Sequence, residues 1–195
     1  TKIVPVPEGD YVPGRVLNQA AERSASEIIV FLNSDCVPVN TYWLENLVKP
    51  FADPAVGAVF SRQIAVPGSL PIIQIDTERG FGDGTEHQKW EHFFSMASSA
   101  IRKSVWMNER FDENMLISED MEWSYRIKKK GHAVLYAKDS VVEHHHNYSM
   151  RELYNRHVKE GIDSVKIFSK NGSTLDMFLN VFLYPLAYTI AQDIP

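Results

Sequence analysis

The chain has 195 residues, of which 44% are hydrophobic and 23% are charged, a composition typical of one globular domain with a hydrophobic core. Its formal net charge of −5 argues against a protein that binds nucleic acid by neutralising phosphates. The single cysteine, Cys36, excludes an internal disulfide framework and a zinc site built from several cysteines, and it favours a reducing compartment. Residues 1–5 show no charged and apolar leader, so we expect a cytoplasmic protein.

Strands and helices are predicted to alternate along the chain, which favours an α/β fold with a mostly parallel sheet and helices on both faces. Hydrophobic spacing, capping residues and breakers indicate the elements. In chain order we expect a strand at 2–6, a helix at 14–24, a strand at 27–33, a helix at 42–51, a strand at 56–64, an irregular loop at 67–89, an extended segment at 93–101, a helix at 118–130, short strands at 133–136 and 140–143, and a helix at 149–169.

The run from Ile28 to Leu32 is the most informative of these elements. Five consecutive apolar residues followed by a polar cluster predict a strand buried on both faces, as in parallel sheets. In open α/β sheets ligands bind just beyond the carboxyl ends of such strands. We therefore expect Asp35, which follows this strand, to lie where the protein does its chemistry.

Four motifs occur in a set order between about residues 14 and 160. They are Phe31-Leu32-Asn33-Ser34-Asp35, Asp53-Pro54-Ala55-Val56-Gly57, Phe111-Asp112-Glu113 followed by Ser118-Glu119-Asp120-Met121-Glu122-Trp123, and Val141-Val142-Glu143-His144-His145-His146. With these motifs the chain resembles the glycosyltransferases of family 2, and its texture is similar to the bacterial rhamnosyltransferase-like members. The resemblance implies a GT-A fold, a nucleotide-sugar donor and a place in bacterial cell-envelope polysaccharide biosynthesis.

The sequence departs from the family pattern in two places. Family members begin with a further strand, helix and strand that hold the nucleotide base, and the chain starts without methionine, so we expect a domain that lacks its N-terminal part. The acidic motif, usually Asp-x-Asp, reads Asn33-Ser34-Asp35 here, and asparagine offers an amide oxygen without charge. We expect a GT-A domain over residues 1–170 and an apolar C-terminal helix over 171–195.

The resemblance implies a site for Mg²⁺ or Mn²⁺, since a hard divalent cation suits a leaving diphosphate. Asp35 is the expected metal ligand, with an ordinary polar strand end as the alternative. His144 matches the histidine of the family and is expected to complete the site, while His145 is expected to face solvent. Asn33 is expected to contact ribose or metal-bound water, unless it only forms a turn.

Asp120 is the expected general base, because the family places the aspartate of a Glu-Asp pair beside the acceptor hydroxyl. The alternative is that Glu119 and Asp120 only complement the dipole of the helix that begins there. Arg126 could meet diphosphate or acceptor groups, or form a structural salt bridge. The remaining donor or acceptor candidates are Arg62 with its neighbour Gln63, the small residues Ser98 and Ser99, and Trp90 in the predicted loop, where an aromatic ring could stack on a sugar.

The leading hypothesis is transfer of a sugar from a nucleotide-activated donor to a hydroxyl of a glycan or lipid-linked acceptor, with inversion. An inactive fragment or a sugar-nucleotide-binding module is the alternative, and a metal-dependent hydrolase that uses Asp35 and the histidines is a third. The basic helix at 149–169 and the apolar segment at 175–191 could place the protein at the inner face of the cell membrane. A solvated helix face and a packing helix are the alternatives for these two segments.

Overall fold

The computed structural model describes residues 3–7, 11–84, 93–115, 117–145 and 148–168. The chain divides into two compact units, Thr1–His146 and Asn147–Pro195. The elements of the first unit are α1 (Pro13–Arg23), β1 (Ile28–Leu32), β2 (Cys36–Pro38), α2 (Trp43–Val48) with a 3₁₀ turn (Lys49–Ala52), β3 (Val56–Ala65), α3 (Pro71–Phe81), β4 (Ser98–Arg102), α4 (Lys103–Asn108), α5 (Glu119–Lys129) and β5 (Ala133–His144). The second unit contributes α6 (Met150–Phe168).

The five strands form one mixed sheet in the order β1-β4-β3-β5-β2. Only β3 and β5 pair in parallel, while β1 with β4, β4 with β3, and β5 with β2 pair antiparallel. The mixed α/β sheet is therefore confirmed, but its described pairings are mostly antiparallel rather than mostly parallel. The sequence pattern missed this because β2 and β4 are short and do not follow the helix–strand alternation.

Helices cover both faces of the sheet, as predicted. On one face, Phe60 and Ile101 pack with Trp106 of α4 and Trp123 of α5, and all four side chains are at most 2% exposed. The other face is a smaller cluster around Leu47, Val59 and Ala100, contributed by α2, β3 and β4. Burial of one large apolar side chain stabilises a fold by about 1.5–3 kcal/mol. Because each cluster buries several such side chains from strands and helices, the clusters fix the strands against the helices.

β1 lies at the edge of the described sheet and is not buried on both faces. Ile29 points into the core and is 7% exposed, whereas Val30 and Leu32, on the opposite face, are 36% and 42% exposed. The unbroken apolar run predicted a central strand, but β1 is an edge strand of the described sheet and burial alternates along most of it.

Three further predictions differ from the structure. Residues 3–7 form no strand, since Pro5 and Pro7 have no N–H to donate. The loop predicted at 67–89 contains α3, which begins at Pro71, a residue favoured in the first turn of a helix, and buries Ile73. The strands expected at 133–136 and 140–143 are one strand, β5, whose register against β3 shifts between Ala137 and Val141.

Helix α6 begins with the predicted capping serine. Ser149 donates its backbone N–H to the Glu152 carboxylate at 2.8 Å, and the Glu152 N–H returns a bond to the Ser149 hydroxyl. Two of its basic side chains pair within the helix, Arg156 with Glu160 and Lys166 with Asp163. Among the helices that the structure describes, none is long and apolar enough to cross a membrane. The predicted apolar segment at 171–195 lies outside the described residues.

Candidate active site

A cluster of three potential metal ligands lies where β1, β2 and β5 meet. One ligand atom each of Asp35, Cys36 and His144 lies within 4.8 Å of the others. Asp35 occupies the turn between β1 and β2, and its backbone oxygen accepts a hydrogen bond from the His145 N–H at 2.8 Å. Cys36 is the cross-strand partner of His144 in the antiparallel pair of β2 and β5. The pairing of these two strands therefore brings the distant Asp35 and His144 motifs together.

His144 is held on both sides of its ring. Its Nε2 lies 3.4 Å from Oδ2 of Asp35, and its Nδ1 lies 2.6 Å from the amide oxygen of Gln63 on β3. The side chain is 8% exposed, in contrast to the exposed His145 beside it. His146 lies outside the described residues. The imidazole thus turns Nε2 towards the Asp35 carboxylate and Nδ1 towards the buried Gln63 amide.

The donor set of this cluster fits a divalent cation. A carboxylate oxygen and an imidazole nitrogen face each other, and both are accepted ligands of Mn²⁺ and Mg²⁺. Oδ1 of Asp35 is buried and has no hydrogen-bond partner among the described residues, although the Asp35 side chain as a whole is 41% exposed. A buried carboxylate oxygen without a donor is costly unless a cation satisfies it.

The sequence interpretation missed Cys36 as a neighbour of this cluster. Burial and, second, the negative charge of Asp35 raise the pKa of the Cys36 thiol to about 12. The thiol is therefore neutral at neutral pH and packs with Val142 and Ala97 as a small apolar group. Its position directly after Asp35 in the sequence is the signal that could have found it.

Asp120 lies half-buried in the first turn of α5, two residues after Ser118, whose backbone is strained. Ser118 precedes the helix with φ 61°, a left-handed conformation that costs a non-glycine residue about 1–3 kcal/mol and is frequent at functional sites. Oδ1 of Asp120 accepts the N–H of Met121 at 2.8 Å, and Oδ2 accepts the N–H of Met96 at 3.0 Å. These bonds fix the orientation of the carboxylate. Glu119 is half-buried in the same turn.

Residues 95–97, just before β4, connect the Asp35–His144 cluster with Asp120 through hydrogen bonds. The hydroxyl of Ser95 accepts a hydrogen bond from Gln63, the residue behind His144, at 2.9 Å. The next residue, Met96, binds Asp120, and the carbonyl oxygen of Ala97 accepts the N–H of Asn33 at 2.8 Å. Residues 95–97 are therefore hydrogen-bonded to the turn before Asp35, to Asp120 and, through Gln63, to His144.

Ser98 and Ser99 are both fully buried, and their placement does not support the contact with a donor that the resemblance implies. Neighbouring residues of a strand point to opposite faces, so the two side chains cannot serve one ligand. The Ser99 hydroxyl contacts Met96. The Ser98 hydroxyl belongs to a closed ring of hydrogen bonds that runs from the Trp43 indole through Ser98, Ser61 and Ser140 back to the Trp43 carbonyl oxygen.

Substitution of Ser98 by alanine is expected to destabilise the fold by about 1–3 kcal/mol, because it removes the acceptor of the half-buried Trp43 N–H and the buried bond to the Ser61 hydroxyl. Chemical unfolding measures this change, and calorimetry is expected to show unchanged nucleotide affinity. Ser26→Ala, in the exposed bend before β1, is the matched control and should change neither quantity. An unchanged unfolding free energy for Ser98→Ala would contradict the role of the ring.

Arg126 forms a salt-bridge network rather than facing the cluster. Its guanidinium contacts the carboxylates of Glu122 and Glu109 at 2.6 and 2.5 Å and donates to the carbonyl oxygen of Arg110. Hydrogen bonds from Lys130 and then from Arg126 lower the pKa of Glu109 against its burial. Of the two interpretations of Arg126, the structural salt bridge therefore matches its observed contacts.

The remaining candidates are dispersed. Arg62 lies beside Glu78 of α3, at 3.7 Å, on the face of β3 opposite to Gln63. Of this predicted pair, Gln63 reaches the cluster and Arg62 does not. Asn33 is exposed, and its carbonyl oxygen accepts the Cys36 N–H, so its backbone forms the turn. Trp90 lies outside the described residues.

The mixed sheet, with its carboxylate–histidine pair at the ends of its strands, has the fold of solved sugar transferases of the GT-A class. The chain is similar to a mannosyltransferase from Pyrobaculum calidifontis, solved with GDP-Man and Mn²⁺, with a TM-score of 0.58, 22% identity, and coverage of 90% of this chain and 48% of the other. It is also similar to glucosyl-3-phosphoglycerate synthase from Mycobacterium tuberculosis, solved with phosphoglyceric acid, with a TM-score of 0.51, 15% identity, and coverage of 83% and 55%. At these identities the likeness shows the fold.

The chain belongs to glycosyltransferase family 2, because the family described as "Glycosyltransferase like family 2" matches residues 1–161. Among curated proteins it is 26% identical over 164 residues to the O-antigen chain rhamnosyltransferase RfbN of Salmonella typhimurium, which covers 78% of this chain and 52% of the relative. It is 28% identical over 173 residues to WbaN of Salmonella anatum, another O-antigen chain rhamnosyltransferase, with 82% and 54% covered. The chain thus spans about half the length of these relatives.

Proposed function

We propose that the intact protein transfers a sugar from a nucleotide-diphosphate donor to a hydroxyl of a glycan or lipid-linked acceptor, with inversion at the anomeric carbon. The observation that carries the proposal is the pairing of Asp35 with His144, whose facing atoms lie 3.4 Å apart, in a chain of family 2. Asp35 and His144 would hold Mg²⁺ or Mn²⁺. Such an ion, when bound, offsets the negative charge that develops on the leaving diphosphate.

Asp120 acts as the general base in this proposal. The acceptor oxygen forms a bond to the anomeric carbon while the bond from that carbon to the diphosphate oxygen breaks, and the acceptor proton passes to the Asp120 carboxylate. Met96 and Met121 hold this carboxylate by their backbone N–H groups, so that it can meet an acceptor without reorienting. The exposed side chain of Asn33 could contact the donor ribose or metal-bound water, and the half-buried Glu119 borders the acceptor side.

The type of acceptor determines whether the protein must work at a membrane. A lipid-linked acceptor would require the protein to work at the inner face of the cell membrane, and we assign that contact to the apolar segment at 171–195. Helix α6 offers less attraction for anionic lipid than its number of basic residues suggests, since acidic partners in the same helix pair with Arg156 and Lys166.

The test is a set of nucleotide sugars offered to the intact protein with Mn²⁺, read by calorimetry and by release of nucleoside diphosphate. A nucleotide-linked rhamnose is the first donor to examine, because the relatives RfbN and WbaN are named as rhamnosyltransferases. Binding with acceptor-dependent release supports the transferase. If the nucleotide sugar binds but no acceptor causes release of nucleoside diphosphate, a sugar-nucleotide-binding module is supported. If nucleoside diphosphate is released equally well without an acceptor, a hydrolase is supported. Absence of metal-dependent binding would overturn the proposal.

A further inference from the structure

Gln63 is a buried amide directly behind the proposed metal ligand His144. It is 4% exposed, and both ends of its side chain are bonded: the oxygen lies 2.6 Å from His144 Nδ1, and the nitrogen donates to the Ser95 hydroxyl at 2.9 Å. In the parallel pair of β3 and β5, Gln63 stands opposite Val142, two residues before His144. The two side chains therefore share one face of the sheet.

These contacts fix the proton on the His144 ring. An amide oxygen can only accept, so the 2.6 Å contact places the proton on Nδ1. The opposite arrangement would place a proton on Nε2, facing Asp35 at 3.4 Å, which is longer than the usual 2.7–3.2 Å of an N–H···O bond. The short contact to Gln63 is the better hydrogen bond, and it leaves the lone pair of Nε2 directed towards Asp35.

We propose that Gln63 is a positioning residue that holds His144 in the tautomer and ring orientation needed to bind a divalent cation beside Asp35. Histidine ligands of metals are commonly fixed in this way by an acceptor on the other ring nitrogen, and loss of such a partner lowers metal affinity by about 10–100-fold. Ser95 accepts the second bond of the amide and so holds its nitrogen end. The inference rests on the proposed metal-dependent function.

The first experiment measures Mn²⁺ affinity of the intact protein by electron paramagnetic resonance of the free ion. Gln63→Met, which keeps the volume and removes the acceptor, is expected to weaken binding by about 10–100-fold. Gln63→Glu restores an acceptor for Nδ1–H and is expected to bind Mn²⁺ at least as tightly as the wild type. If Gln63→Met does not fold, Gln63→Asn, which is too short to reach His144, serves in its place with the same expected loss.

The second experiment reads the His144 tautomer in the metal-free protein by long-range ¹H–¹⁵N nuclear magnetic resonance. The wild type and Gln63→Glu are expected to carry the proton on Nδ1, and Gln63→Met is expected to populate both neutral tautomers. A residue that only stabilised the fold would not move this signal.

Asn18→Leu is the matched control, because Asn18 is also a buried amide, 3% exposed, that bonds both its ends, to Phe111 and Trp106. It is expected to lower the unfolding temperature without changing Mn²⁺ affinity or the His144 tautomer.

The outcomes separate this inference from the function on which it rests. A wild type that binds Mn²⁺ while Gln63→Met binds it equally well overturns the role of Gln63 and leaves the transferase standing. A neutral His144 ring that carries its single proton on Nε2 in the metal-free wild type overturns it too. A wild type that binds no Mn²⁺, alone or with a nucleoside diphosphate, overturns the metal site itself.

Discussion

Replacement of Asp120 by asparagine is expected to lower kcat by about 10²–10⁴-fold while donor affinity stays close to that of the wild type. Asparagine keeps the shape of the side chain but cannot take the acceptor proton, and a positioned general base contributes a factor of this size, about 3 to 5 kcal/mol of the barrier. Turnover is measured by release of nucleoside diphosphate with saturating donor and acceptor. Donor affinity is measured by calorimetry.

The fold is expected to survive this substitution. The asparagine oxygen can accept only one of the two bonds by which Asp120 reaches the backbone, from Met96 or from Met121, so a loss of about 1 kcal/mol in stability is expected. Asp53→Asn is the control, because the Asp53 carboxylate likewise accepts a backbone N–H, that of Ala55, in a turn outside the site. Near-normal turnover of Asp120→Asn, with its fold intact, would remove Asp120 from the role of base.

The carboxylate–histidine pair could be predicted from the sequence because each partner sits in a motif that needs no knowledge of register. Asp35 follows an apolar strand, and His144 ends another. What brings them together is β2, a strand of three residues that ends in Pro38 and carries no visible strand pattern. The partners were thus predictable, and the strand that joins them was not.

Gln63 and the serines depend on register, which the sequence does not specify in this sheet. Arg62 is the candidate predicted from the sequence, with Gln63 as its neighbour, and which one faces His144 depends on the pairing of β3 with β5, whose register shifts after Ser61. A shift by one residue exchanges the two faces of a strand. The same alternation divides Ser98 from Ser99, which the family resemblance groups together.

Helix α3 shows a different limit. Pro71, Gly80 and Gly82 suggested a loop, yet the proline begins the helix and Gly82 ends it. Pro71 and Gly82 lie where breakers are tolerated, in the first turn and just beyond the last, and Gly80 lies within the last turn. Breakers can mark the boundaries of a helix as well as loops, and the interval between Pro71 and Gly82 is long enough for a helix of 11 residues.

The second large effect is expected at the metal end, where Asp35→Asn should weaken Mn²⁺ binding by at least about 100-fold, beyond the 10–100-fold typical of residues that only support a ligand. The substitution removes the negative charge and leaves an amide group opposite His144, whose Nε2 lies 3.4 Å from the carboxylate in the structure. Nucleoside diphosphate binding should lose its dependence on Mn²⁺. Calorimetry with and without the ion measures both quantities.

Asp139→Asn is the matched control, since it makes the same change of charge at an exposed residue of β5 whose side chain is not part of the cluster. The Cys36 thiol supplies an internal readout in the same Asp35→Asn protein. The charge of Asp35 helps to raise the Cys36 pKa to about 12, so its removal should lower that pKa, while burial, the larger cause, keeps it above the ordinary value. A lowered Cys36 pKa with unchanged Mn²⁺ affinity would show that the substitution altered the cluster and that Asp35 does not bind the ion.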